Sequence, residues 1–310
     1  MGSRLTITTP SDYDLTRDVC SYGYFVLAPN LWDTKKNTLT RQLNLETGPA
    51  TVVLSQSQRG KLSAAFDRKL DRAEQSQART QISRMLRLNE DASHSKAFHK
   101  ADPRWKKSGR ARLFRSPTLF EDVIKTVTSC NVAWPSTVNM NKQMCKHLGK
   151  GGCFPTEARV SRTRVGTLRG RCRVGYRDQR ILDLAKLFHK GEIDEAWLES
   201  PSTDDTDVFD FLKTLPGIGP YAAGNIMMLL GRYSRLAIDT ETIRHGKAAL
   251  GMTGTDRQII KKLEAHYEPF GEFKFKSYWF ELWTFYETKQ GPSETWDREE
   301  TATAFTAANF

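Results

Sequence analysis

Cysteine is scarce in this chain and poorly spaced for building structure. The 310 residues include five: Cys20, Cys130, Cys145, Cys153 and Cys172. The number is odd and no pair has CxxC spacing, so neither a disulfide framework nor a zinc site is indicated. No cysteine follows Cys172, which excludes a four-cysteine iron–sulfur loop. Long apolar runs are missing too: none approaches the ~18 residues of a membrane span, and no signal-peptide pattern opens the chain. No internal repeat is present. These absences lead to the expectation of a reduced, intracellular protein without a structural metal. Acid is in deficit, with 36 Asp plus Glu against 47 Lys plus Arg and a net charge of +11. An excess of this size favours a polyanionic partner. With 38% hydrophobic and 10% aromatic residues the chain is globular rather than disordered.

The first part reads as β. YGYFVLAP (22–29), TLTRQLNL (38–45) and ATVVLSQ (50–56) are short strand-like runs separated by turn-forming stretches. From about Lys61 the periodicity turns helical. SPTLFEDVIKTVTSC predicts a helix capped by Ser116 with Pro117 in its first turn, and DQRILDLAKLF and STDDTDVFDFLKTL predict two more. The order β then α gives an α+β chain. A small antiparallel sheet with flanking helices is expected over 1–110, a mostly helical two-lobed body over 111–290, and over 291–310 a polar tail, loose at its end.

One stretch demands a chemical reading: LPGIGPYAAGNIMMLLGRYSRLAIDTETIRHG, Leu215 to Gly246. A helix ends near Leu215, a tight PGIG turn follows, and a second helix starts near Pro220. Gly217 and Gly219 permit positive φ and close approach of another backbone. Pro220 fits a first helical turn, and Ala222, Ala223 and Gly224 allow close packing. The free N–H groups of the turn and the helix N-terminus form an anion site that a DNA phosphate fits without any base being read. Glycines in a turn between helices are common, so GxG alone indicates only an ordinary helical hairpin. Likewise, Asp239 alone would be read as the N-cap of the next helix.

The full string is more demanding. Leu215 to Asp239 resembles the helix–hairpin–helix and Gly/Pro/Asp segment of the DNA glycosylase superfamily, with 22 positions from Gly217 to Asp239 as in its endonuclease III branch. Weaker likenesses extend along the chain. SPTLFEDVIKTVTSCNVAWPSTVNMNKQMCKHLG resembles a helix pair of the 8-oxoguanine glycosylase branch, with Asn131 at the first position of its Asn-rich stretch and Val132 and Ala133 replacing the next two. VGYRDQRILDLAKLF resembles that branch's Gly-Tyr-Arg helix start. The β meander resembles the small domain shared by the 8-oxoguanine and alkyladenine branches.

The resemblance implies that Asp239 is catalytic. Breaking an N-glycosidic bond gives the sugar oxocarbenium character, which a nearby carboxylate stabilises while it can also activate water. Cap and catalyst are compatible roles for one Asp. Tyr221 stands where bifunctional members carry a lysine that forms a Schiff base with the sugar. Tyrosine cannot, so direct hydrolysis is implied. Glu241 is a second departure, a carboxylate where the family often has His or Asn; it either raises a pKa in the pair or faces solvent.

The implied DNA contacts are Leu215, Gly217, Ile218, Gly219, Tyr221 and Ala222 at the hairpin, with Asn131, Arg177 and Arg244. Independently, RVSRTRVGTLRGRCRVGYRDQR (159–180) holds eight arginines in 22 residues and favours phosphate contact over a merely solvated face. A flipped base needs an aromatic pocket. Trp134 and, from EFKFKSYWFELWTFYE (272–287), Trp279, Phe280 and Trp283 are the candidates, although helical periodicity makes many of these aromatics core. Gly23 corresponds in the resemblance to a damage-reading glycine.

The resulting expectation is a monofunctional DNA glycosylase of base excision repair. It would act as a monomer on double-stranded DNA containing a damaged base, an alkylated or oxidised purine, in the nucleus of a eukaryote or the cytoplasm of a bacterium. No cofactor is implied beyond a monovalent cation at the hairpin carbonyls, residues 215–220. The alternatives are a mismatch uracil or thymine glycosylase, suggested by Tyr221, a non-catalytic DNA-binding protein, favoured by Glu241, and a glycosylase–lyase using another lysine such as Lys247.

Overall fold

A computed structural model describes residues 2–299. Five strands form one antiparallel sheet: β1 (Arg4–Thr8), β2 (Leu31–Asp33), β3 (Thr38–Leu45), β4 (Gly48–Gln58) and β5 (Lys61–Phe66), in the order β1-β5-β4-β3-β2. The meander β2 to β5 is joined by β1 at its edge, where Leu5 pairs with Ala64. β3 alternates strictly, with Leu39, Arg41, Leu43 and Leu45 buried.

Two local expectations fail. The run 22–29 is not a strand but a 3-10 turn, Gly23–Val26, with Phe25 N–H bonded to Tyr22 O and Leu27 N–H to Tyr24 O. Its residues are apolar because Tyr24, Phe25 and Val26 are all buried, which leaves no alternating face. Conversely, the stretch after Lys61 is strand β5, not helix. Leu62, Ala64 and Phe66 are buried in alternation, a period of two that its alanines obscure.

The helices follow: α1 (Leu15–Val19) precedes the meander, and α2 (Arg72–Met85) and α3 (Ala92–Ala101) come after it. Then come α4 (Leu119–Ser129), α5 (Trp134–Leu148), α6 (Glu157–Ser161), α7 (Val165–Gly170), α8 (Asp178–His189), α9 (Glu195–Glu199), α10 (Asp205–Thr214) and α11 (Pro220–Leu230). α12 (Thr240–Ala248), α13 (Asp256–Tyr267) and α14 (Lys274–Gln290) complete the body. The cap of α4 is Thr118, not Ser116: its side chain accepts from Glu121 N–H. Pro117 keeps the residue before it out of helical geometry, and Ser116 instead donates its backbone N–H to Asp122 Oδ1 at 2.7 Å.

Two hydrophobic clusters organise the chain. One joins the sheet, α2 and α3 to Tyr233 and the apolar faces of α13 and α14; the other joins α4 through α11. α11 spans both: Met228 and Leu229 belong to the first cluster, and Ala222 through Met227 contribute to the second. Its C-terminal carbonyls are held by buried arginines. Arg87 donates to Met228 O (2.7 Å) and Leu229 O (3.1 Å), and Arg115 donates to Leu229 O (2.9 Å). Cations at that end complement the helix dipole. The opposite end, the hairpin, thereby points at the space between the clusters. The start of the tail is packed: Trp296 is buried 5.0 Å from the Trp283 ring, and Arg298 Nε donates to Val26 O at 2.8 Å. Residues 300–310, the end of the expected tail, lie outside the described residues.

Candidate active site

The hairpin has the expected geometry. α10 ends at Thr214, Gly217 has φ +79°, and α11 begins at Pro220 behind the extended N-cap Gly219. Ala223 N–H makes the first intrahelical bond, to Gly219 O, so the N–H groups of Gly219, Tyr221 and Ala222 precede it. A Cβ at Gly217 would sit 2.6 Å from Arg180 Cδ, so the Arg180 stem lies directly on the turn. Leu215, Ile218 and Ala222 are buried in the helical cluster. Their side chains anchor the hairpin, and what they can offer a ligand is backbone.

Gly224 explains how Asp239 reaches this hairpin. A Cβ there would lie 3.1 Å from Leu236 O and 3.2 Å from Ala237 Cα, so the segment leading to Asp239 packs directly on α11. Asp239 then caps α12. Its Oδ1 accepts from Thr242 N–H at 2.9 Å and lies 3.0 Å from Thr242 Oγ1, while its own N–H donates to Thr242 Oγ1 at 3.2 Å. Tyr278 Oη lies 3.0 Å from the same hydroxyl and fixes the cap from α14. Burial raises the Asp239 pKa above the usual carboxylate range. Thr242 opposes this through its hydrogen bonds, and the nearby Glu241 charge adds to the rise. Glu241 is not left to solvent. It is bonded by Arg244 Nε at 2.6 Å and by the Tyr286 hydroxyl. Arg244 is therefore committed to Glu241 and is not among the residues lining the cleft.

That cleft has a volume of about 790 Å³ and opens between the two clusters. Of the residues anticipated from sequence, it brings together Asp239, Tyr221, Gly217, Gly219, Ala222, Asn131, Arg177, Trp134, Trp279 and Trp283. Burial and the Asp239 charge push the Tyr221 phenol well above its ordinary pKa, so it is neutral. Tyr22 donates to Asn225 Oδ1 at 2.9 Å, and its ring lies 4.8 Å from that of Trp279. Trp279 and Trp283 stack at 5.5 Å and donate their indole N–H groups to Ser21 O and Cys20 O. Cys130 also lines the cleft, with its thiol pushed by burial to about 11.

Two sequence expectations are corrected. Phe280 does not line the cleft: it is fully buried, 5.9 Å from Phe98 and 5.7 Å from Trp105, because it leaves α14 about 100° round from Trp279. Arg177 is buried and faces the protein rather than a phosphate. It donates to Val127 O (3.1 Å), Asn131 O (3.4 Å) and Cys130 O, clamping the loop between α4 and α5. Asn131 on that loop is exposed with φ +50°. The sequence did not single out Tyr22, Tyr278, Asn225 or Tyr176, whereas Arg180 belongs to the arginine run read as favouring phosphate contact. Tyr176, 52% exposed at the cleft, stands beneath Arg177 and Arg180 at 4.5 and 5.3 Å. An aromatic exposed between arginines was the available signal for it. The others carry none, because only packing brings them together.

The sheet, the two hydrophobic clusters and the cleft at a glycine hairpin make an architecture shared with solved DNA glycosylases. Among solved structures, the 3-methyladenine DNA-glycosylase from Archaeoglobus fulgidus matches with a TM-score of 0.66 at 13% identity, over 90% of this chain and 98% of that one. The 8-oxoguanine glycosylase/lyase of Clostridium acetobutylicum in its apo-form matches with a TM-score of 0.64 at 16% identity, over 90% and 96%. MBOgg1 in complex with a low affinity DNA ligand gives 0.67 at 17% identity, over 94% and 98%. No protein-family model and no curated protein sequence matches the chain. Likeness at such low identity establishes the shared fold. No helix among the described residues is long and apolar enough to cross a membrane.

Proposed function

We propose that the protein is a monofunctional DNA glycosylase that hydrolyses the N-glycosidic bond of a damaged purine flipped out of duplex DNA. The observation that carries this reading is Asp239. It is a half-buried carboxylate at a helix N-terminus, beside the phosphate-type hairpin, at the edge of an aromatic cleft. The hairpin N–H groups would hold a backbone phosphate, and the rings of Trp279 and Tyr22 would receive the base. Ionised Asp239 would stabilise the oxocarbenium-like sugar and accept a proton from the attacking water. The fold shared with DNA glycosylases supports DNA as the partner.

Absence of lyase chemistry is supported by the lining itself. Among the described residues it contains no lysine, and the position of the family amine is the neutral Tyr221. Lys247 is bonded to Asp256 at 2.7 Å and is not part of the lining. The test is excision from duplexes carrying hypoxanthine, alkyladenine, 8-oxoguanine, or mismatched uracil or thymine, each with and without alkali. Strand cleavage only after alkali, lost in Asp239→Asn with DNA binding retained, is the expected result. Cleavage without alkali and borohydride trapping of a covalent complex would refute the monofunctional assignment. No release from any duplex, no preference for a damaged one and intact DNA binding would refute the enzyme in favour of a non-catalytic DNA-binding protein.

A further inference from the structure

We propose that Trp134 is the specificity-determining donor of the base pocket, its indole N–H reserved for an acceptor atom on the edge of the incoming base. The acceptor is a ring nitrogen or a keto oxygen. The inference rests on the base-excision reading above and names a contact within it.

The indoles of this protein supply the contrast. Those of Trp32, Trp105, Trp279, Trp283 and Trp296 each donate to a protein oxygen, at 2.8 to 3.0 Å. Trp134 Nε1 is buried and has no hydrogen-bond partner. A buried donor without an acceptor is penalised, and native proteins pair almost all of them. Trp134 lines the cleft while packing against the core, so a base that displaces the cover of its Nε1 can supply what the protein does not.

Its position is built. Gly23 lets the ring lie deep, since a Cβ there would come within 3.1 Å of Trp134 Cη2 and 3.2 Å of Cζ2. Trp134 is the first residue of α5, next to the loop whose carbonyls Arg177 holds. Thr137 Oγ1 donates to Thr128 O at 3.1 Å and ties that first turn of α5 to α4. Loop and helix start are therefore fixed, as a discriminating donor requires.

The experiment is a cycle between protein and base. Trp134→Phe keeps an aromatic ring but removes the donor together with part of the ring that packs on Gly23, and the comparison across base atoms separates the two effects. Affinities are measured in the Asp239→Asn background, which leaves the base in place, with and without Trp134→Phe. The duplexes carry the excised purine with its edge acceptors removed one at a time, each ring nitrogen replaced by C–H or the keto oxygen by hydrogen. One removal should weaken binding by about tenfold or more when Trp134 is present and have no effect on the double variant that also carries Trp134→Phe. Equal penalties in both proteins at every position would overturn the proposal. So would tighter binding of every duplex after Trp134→Phe, which would make the ring an obstacle. Excision by the wild type separates the two levels. Excision without coupling removes this inference and leaves the enzyme standing; no excision and no preference for a damaged duplex removes both.

Discussion

Asp239 holds two jobs with one side chain, and the chemistry of each explains the other. As a cap it must accept hydrogen bonds at a helix N-terminus, which favours the charged form. As a half-buried carboxylate beside Glu241 it is pushed the other way, and the balance falls above the usual carboxylate range. The working form in the proposed reaction is the ionised one. The rate should therefore rise with pH through this elevated pKa and plateau above it. Glu241→Gln removes a charge that contributes to the elevation and releases Arg244 from its pair. Both effects favour the carboxylate, so the acid limb of the pH–rate profile should move to lower pH. A limb that stays fixed or moves upward would show that Glu241 does not tune Asp239. The sequence raised the question of Glu241 and could not answer it, because Tyr286 and Arg244 meet it only in the folded protein.

Among the elements, the hairpin and the α12–α14 contact carry separate duties. Gly217 is required twice, by φ +79° and by the Arg180 stem against its Cα. Gly217→Ala should cost about 1–3 kcal/mol of stability and weaken duplex binding, measured by thermal melts and by titration of DNA. The second device is Glu281 of α14, whose Oε1 receives Tyr267 Oη from α13 (2.7 Å) and lies 2.9 Å from His245 Nε2 of α12. Arg104, from the turn after α3, closes the network. Burial alone would raise this carboxyl, but the bonds from His245, Tyr267 and Arg104 hold it at about 2. Its folded pKa lies below its ordinary value of 4.5. Its stabilisation is thus present above that pH and lost as pH falls toward about 2. The melting temperature should drop across that window, and Glu281→Gln should lower it at neutral pH while flattening the drop.

For the whole molecule, the excess of +11 has a visible address. Of the arginines between 159 and 180, Arg177 alone is buried, and Arg169 pairs with Asp178. Arg159 on α6, Arg162, Arg164, Arg171 and Arg173 in the turns flanking α7, and Arg180 on α8 are exposed, next to the hairpin that Arg180 touches. If DNA lies across this face, changing two of them, Arg171 and Arg173, to Gln should lower the slope of log affinity against log salt by about 0.9 for each phosphate no longer neutralised. Excision at saturating protein should stay unchanged. An unaltered slope would place the duplex elsewhere.

Some of this protein was written in local sequence. The glycines and proline of the hairpin, its interval to Asp239, strands β3 and β4, and helices α8 and α10 follow from short-range rules, since turns, caps and periodicity are settled by neighbours a few positions apart. The same rules misjudged the run at Tyr22 and the strand after Lys61, where burial rather than periodicity decides which residues are apolar. Only the tertiary structure brought α13 and α14 into one hydrophobic cluster with the sheet and set Trp279 on the cleft while Phe280 is buried away from it. It also turned Arg177 from a candidate phosphate ligand into a clamp. Those outcomes depend on contacts between residues far apart in the chain, and on the angular position of a side chain around a helix whose two faces are both apolar. Neither is encoded in any short stretch.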